Sequence, residues 1–168
     1  MAPGIESLLA KMVPGTVGFE VSSGGKPAIS SEDVAAALGY AGGYVPDGRL
    51  GAHLVMAKYC EDPISRGVLL HEKNLPREAH MMWWELRLRA RTDRRTIIRV
   101  AETVLHDFCN PVEARRLGES FIRRRLGVGH DTWKRAYRFH YAGMMKRLYW
   151  LESPVLTILK KYLRDSES

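Results

Sequence analysis

Towards its C-terminus the chain places apolar side chains at Trp133, Tyr137, Tyr141, Met144, Leu148, Leu151, Val155, Ile158 and Tyr162, in steps of three and four. That spacing predicts one helical stripe running almost to the end. Ser153-Pro154 interrupts it and predicts a kink or a fresh helix start, with Ser as cap and Pro at the first position. Two uses of the stripe stay open. It can face the chain's own core, or it can seat a partner helix, including that of a second copy in a homodimer.

Upstream, Ile97, Ile98, Ala101, Val104, Leu105 and Phe108 repeat at helical spacing and predict a helix opened by Thr92-Asp93 and ended at Asn110-Pro111. Asn110 is expected to cap the next helix, with Pro111 first in it and Glu113 at the capping-box distance. That helix should stop at Gly118 and resume from Glu119 to Leu126. Helices are also expected over 50–59 and 64–72. Trp83 to Arg89 alternates at period two, yet good helix formers from Glu78 favour helix. Nearer the start, a short helix is expected over 5–12 and a strand over 17–21. Ser22-Ser23-Gly24-Gly25 reads as a loop. Ser30 or Ser31 should cap a helix stopped by Gly39, with Ala41-Gly42-Gly43 and Pro46-Asp47-Gly48 as loop. The pattern therefore predicts a mostly α fold, a helical domain with a helix-turn-helix and a long C-terminal helix. A minor β contribution near the N-terminus stays open. Three stretches follow: 1–48 as a small segment packed on the main domain, 49–110 as a helical core and partner-binding region, and 111–168 as the helix-turn-helix with the long helix.

The helix-turn-helix expectation rests on "LGVGHDTWKR", residues 126–135. Two helices that cross closely need glycine in the turn and apolar side chains facing each other. With Gly127 as the turn, Ile122, Leu126, Val128, Trp133 and Ala136 fill the facing positions. Arg123 stands where a small residue usually sits, and Trp133 is larger than the usual Val or Ile. Both are accommodated if the crossing opens and the arginine stem snorkels outward. His130 or Asp131 should cap the second helix. Its exposed positions would be Gly129, His130, Asp131, Lys134, Arg135 and Arg138. Among these, His130, Asp131, Lys134, Arg135 and Arg138 are the candidates for base contact. Arg and Lys suit guanine acceptors and Asp suits the cytosine amino group. Arg115, Arg116, Arg123, Arg124 and Arg125 are the candidates for phosphate contact.

Charge supports that assignment. The 168 residues carry a net +7. Residues 1–48 hold two lysines against five acids, so the positive excess lies beyond them. Between Arg115 and Arg147 stand ten basic residues and only Glu119 and Asp131 as acids. So local a field attracts polyanions, and double-stranded DNA is the expected partner.

Other chemistry finds little footing. No zinc-protease helix, nucleophile elbow, phosphate loop or dinucleotide fingerprint occurs, and the acidic residues are scattered. The chain is read as a non-enzyme without cofactor. Cys60 and Cys109 lack partners for a four-ligand zinc site, although His106 and Cys109 can share a helix face, so no metal is expected. No apolar run approaches the ~20 residues of a membrane span. The first residues lack the basic and apolar regions of a signal peptide, so a cytoplasmic address and no membrane contact are expected.

Three stretches resemble phage late-gene antitermination proteins of the Q type: "IESLLAKMVPGTVGFEVSSGG…SSEDVAAALGY", "RRTIIRVAETVLHDFCNP" and "LGVGHDTWKRAYRFHYAGMMKRLYWLE". Together they cover about half the chain. Many members of that family insert a cysteine-rich zinc-binding segment before the helix-turn-helix. Here "DFCNPVEARRLGES" takes its place, a variant without the ribbon. The resemblance implies a factor that binds DNA near a late promoter, engages the host RNA polymerase holoenzyme and carries it past pauses and terminators. "DVAAALGYAGG" is similar to part of phage antirepressor N-domains, which keeps a repressor or activator as the alternative. A nucleic-acid enzyme or RNA-binding module stands behind both.

Overall fold

A computed structural model of the chain describes residues 9, 31–85 and 94–166. Apart from helical Leu9, the helix expected over 5–12, the strand over 17–21 and the following loop lie outside the described residues. So do the end of the Trp83–Arg89 stretch and Thr92-Asp93. Every regular element among the described residues is helical. In chain order they are α1 (Ser31–Tyr44), α2 (Gly48–Tyr59), α3 (Pro63–Leu70), α4 (Leu75–Glu85), α5 (Arg94–Cys109), α6 (Pro111–Leu126) and the single turn α7 (His130–Thr132). A π turn (Trp133–Tyr137) and the long α8 (Arg138–Ser166) complete the chain. The protein is mostly α and ends in a long helix.

Two compact units result, one from residues 1–65 with 150–168, the other from 66–149. In the first, α1 packs on α2. Val34, Ala37, Leu38 and Ala41 bury one face of α1 in a cluster with Leu9, Val55, Cys60, Val155 and Leu159. Gly39 does not stop this helix, and Ala41-Gly42-Gly43 is not a loop. The buried stripe of Val34, Ala37 and Leu38 continues through Ala41, so the helix carries past Gly39 despite the roughly 1 kcal/mol that an interior glycine costs. The turn is confined to Val45–Asp47, so Pro46 and Asp47 lie in it as expected while Gly48 already begins α2, and Asp47 takes a left-handed φ of 56°.

Gly51 sets how close α8 comes to α2. A Cβ there would lie 2.3 Å from the Leu151 carbonyl oxygen. Beside that contact, the Lys58 ammonium meets the Glu152 carboxylate at 2.8 Å, both side chains largely buried. The carboxylate raises the Lys58 pKa against the lowering effect of burial, which is the largest single influence on it. Ser153-Pro154 does not start a new helix, since α8 runs through it. Pro154 and Trp150, four residues before it, both lie on the exposed side, where water can replace the missing donor.

In the second unit α5 packs against both α4 and α6. Ile97, Ala101, Val104, Leu105 and Phe108 are buried as their spacing predicts, with Ile98 half-buried. Asn110 corrects one expectation. Its side chain makes no cap for α6 and instead donates from Nδ2 to the His106 carbonyl at 2.9 Å. It closes the end of α5, whose last carbonyls need donors. Pro111 does begin α6, and α6 does break at Gly118, where φ is 67° and ψ is −175°.

Candidate nucleic-acid interface

The turn between α6 and α7 is built by glycine. Gly127 adopts φ 70°, the left-handed conformation that penalises side chains. Its N–H donates to the Arg124 carbonyl at 3.1 Å, and the Val128 N–H reaches back to Arg123 at 3.0 Å. This pair of bonds satisfies the last carbonyls of α6 and reverses the chain. Ile122, Leu126 and Trp133 are buried around it, with Val128 and Ala136 half-buried. The second helix begins from Gly129, with no side-chain cap; neither His130 nor Asp131 fills that role. The reason is registry. Trp133 N–H bonds the Gly129 carbonyl, which places both residues already inside the first turn.

All five base-contact candidates are exposed: His130, Asp131, Lys134, Arg135 and Arg138. Arg138 lies 4.0 Å from Glu119, which tethers it loosely to the second half of α6. The π turn modifies their arrangement. The Arg138 N–H bonds the carbonyl of Trp133, five residues back. In an ordinary helix residues five apart point about 140° apart. The wider turn draws such pairs towards one line, so Lys134 and Phe139 lie nearer the same face than α-helical spacing suggests.

The phosphate-contact candidates divide into three situations. Arg115, Arg116 and Arg124 are exposed, and Arg115 bonds the Pro111 carbonyl at 3.2 Å. Arg125 is more restrained. Its guanidinium sits 3.9 Å from the buried Asp107 carboxylate and 5.9 Å from the centre of the Phe121 ring. Arg123 is half-buried, and its Nε is enclosed with no hydrogen-bond partner. Snorkelling is therefore incomplete, and only the outer part of that side chain can reach a phosphate.

Spacing alone missed the polar groups beneath this surface. Asp107 is buried on α5 and accepts a 2.6 Å hydrogen bond from the Tyr141 hydroxyl of α8. His106 Nδ1 lies 3.1 Å from its other oxygen. Together with Arg125, these contacts join α5, α6 and α8 at one carboxylate. Burial, and then Asp107, push the Tyr141 hydroxyl well above the ordinary tyrosine range. The available signal was an acid beside Phe108 in an otherwise apolar stripe. His140 is buried edge-on against Trp83, with ring centres 5.2 Å apart, and neither ring nitrogen has a partner. Burial lowers its pKa to about 4. Trp133 is likewise enclosed, its ring 5.7 Å from Tyr141 and its Nε1 unpaired.

Among the described residues no group of three His, Cys, Asp or Glu side chains is arranged to hold a metal ion. His106, the histidine able to share a face with Cys109, is directed to Asp107 instead. No helix among them is long and apolar enough to cross a membrane. Comparison of the chain with family models, with curated proteins and with solved structures gave no match.

Proposed function

We propose that the chain binds double-stranded DNA through the segment from Glu119 to Arg138 and regulates transcription. The carrying observation is the two-sided turn at Gly127. Ile122, Leu126 and Trp133 are buried beneath it, while His130, Asp131, Lys134, Arg135 and Arg138 stand exposed on the helix that follows. Arg124, Arg115 and Arg116 supply exposed cations on the preceding helix, suited to phosphates. Groove entry needs this division between a packed side and a reading side. The manner of regulation follows the Q-type resemblance: antitermination, in which the DNA-bound protein engages bacterial RNA polymerase and no covalent chemistry takes place.

The test is fluorescence anisotropy on duplexes selected from a random pool, over a series of salt concentrations. Arg135→Ala should weaken the selected site by ~1–3 kcal/mol and relax preference at one position. Arg124→Ala should weaken every duplex alike and reduce the salt slope by about 1. Duplex binding that neither change affects removes this segment as the reader. Co-purification with RNA polymerase at low salt separates antitermination from repression or activation through DNA alone; its absence defeats the antitermination part.

A further inference from the structure

We propose that the reading face continues past Arg138 and that the Phe139 ring recognises a thymine methyl group; this rests on the duplex-binding reading above. Phe139 is 67% exposed, unusual for so large an apolar side chain. The large exposed side chains that flank it along the helix are cations. Lys134, Arg135 and Arg138 precede it, exposed Ala142 follows one turn on, and exposed Lys146 one turn beyond that. From Thr132 to Tyr149 the sequence contains no acid. A protein partner for this ring would have to bring its own acidic surround. Duplex DNA brings one everywhere.

The major groove then limits what the ring can touch. Base edges there present hydrogen-bond donors and acceptors, and the one apolar group is the C5 methyl of thymine. A phenyl ring entering that groove gains from this group and from no other edge. Reach is adequate: nine residues separate His130 from Phe139, about 13 Å of helix. The π turn contributes too, because it draws Lys134 and Phe139 towards a common face. Ala142 on the same side is small enough to let the groove wall approach.

Uracil differs from thymine only by that methyl, which makes the test chemically narrow. Duplexes selected by the full-length protein are resynthesised with uracil at each thymine in turn, and affinities are measured for the unmodified protein, Phe139→Ala and Phe139→Leu. At one position uracil should weaken the unmodified protein by roughly four-fold, the equivalent of one buried methyl. Phe139→Ala should bind the thymine and uracil duplexes equally, at the weaker of the two affinities, while Phe139→Leu keeps part of the difference. The inference fails if no uracil position matters, or if Phe139→Ala still separates thymine from uracil. It also fails if Phe139→Ala changes the sedimentation of the free protein, which would place the ring in self-association. Either of the first two results with duplex binding intact sinks the methyl contact alone. Absence of any duplex binding sinks both readings.

Discussion

Acid should weaken the second unit through a single ring. His140 is 2% exposed, packed on Trp83, with neither nitrogen hydrogen-bonded, and burial holds its pKa at about 4 against an ordinary 6.5. Because the folded value is depressed, the neutral ring is the form the fold accepts. Its contribution is fully present above pH 6.5. As pH falls below that, the unfolded chain takes up a proton that the native state refuses. Each pH unit then removes about 1.4 kcal/mol, so ~3 kcal/mol is lost between pH 6.5 and 4. Urea unfolding followed by tryptophan fluorescence at pH 7, 6, 5 and 4.5 reads this directly. His140→Phe keeps a ring against Trp83 and removes two unpaired polar atoms. It should match or exceed the unmodified protein at pH 7, and its stability should fall less on acidification. His53 also has a lowered pKa, through burial and Arg49, so some acid sensitivity remains in the variant. Parallel stability curves for the two proteins would refute the reasoning.

Two further outcomes follow from backbone and hydroxyl chemistry. Gly127→Ala should cost about 1–2 kcal/mol, because φ is 70° and no atom crowds the site, whereas Gly127→Asn should cost less. Gly51→Ala should cost more than either, since its Cβ would meet the Leu151 carbonyl; thermal denaturation orders all three. Tyr141 keeps its proton in the fold beyond the pH at which free tyrosine loses it, so its stabilising contribution is present below pH 10 and declines above. Tyr141→Phe should lose about 1.5–3 kcal/mol at pH 8, the worth of a hydrogen bond to a carboxylate, and should show a shallower alkaline decline in urea titrations.

Features set by neighbours along the chain were legible in the sequence. The stripe of α5, the breaks at Gly118 and Gly127, and the exposure of His130, Asp131, Lys134, Arg135 and Arg138 all follow from local spacing and glycine chemistry. Features decided by distant partners were not. Gly39 reads as a stop until Ala41 is seen to share a core with Val155 and Leu159. Asn110 has carbonyls of α5 behind it and free N–H groups of α6 ahead, and composition cannot choose between them. The π turn shifts the stripe by one position, and its mark is the pair of four-residue steps from Trp133 through Tyr137 to Tyr141, which unbroken helical spacing also allows. Asp107 and His140 occupy apolar faces where their polarity argues against burial. Only the hydroxyl of Tyr141 and the ring of Trp83 show what receives them.

The contribution of Val155 and Leu159 to the first core has a consequence for how the chain is born. That unit is discontinuous: Val34, Ala41 and Val55 wait for side chains encoded about a hundred residues later. At ribosomal rates of about 5–20 residues per second, the delay is on the order of ten seconds. During it residues 66–149 are made as well, the last of them six positions ahead of Val155. The first core therefore stays open until the whole of the second unit has been made. A helix made about a hundred residues after Val55 closes the core to which Val55 belongs.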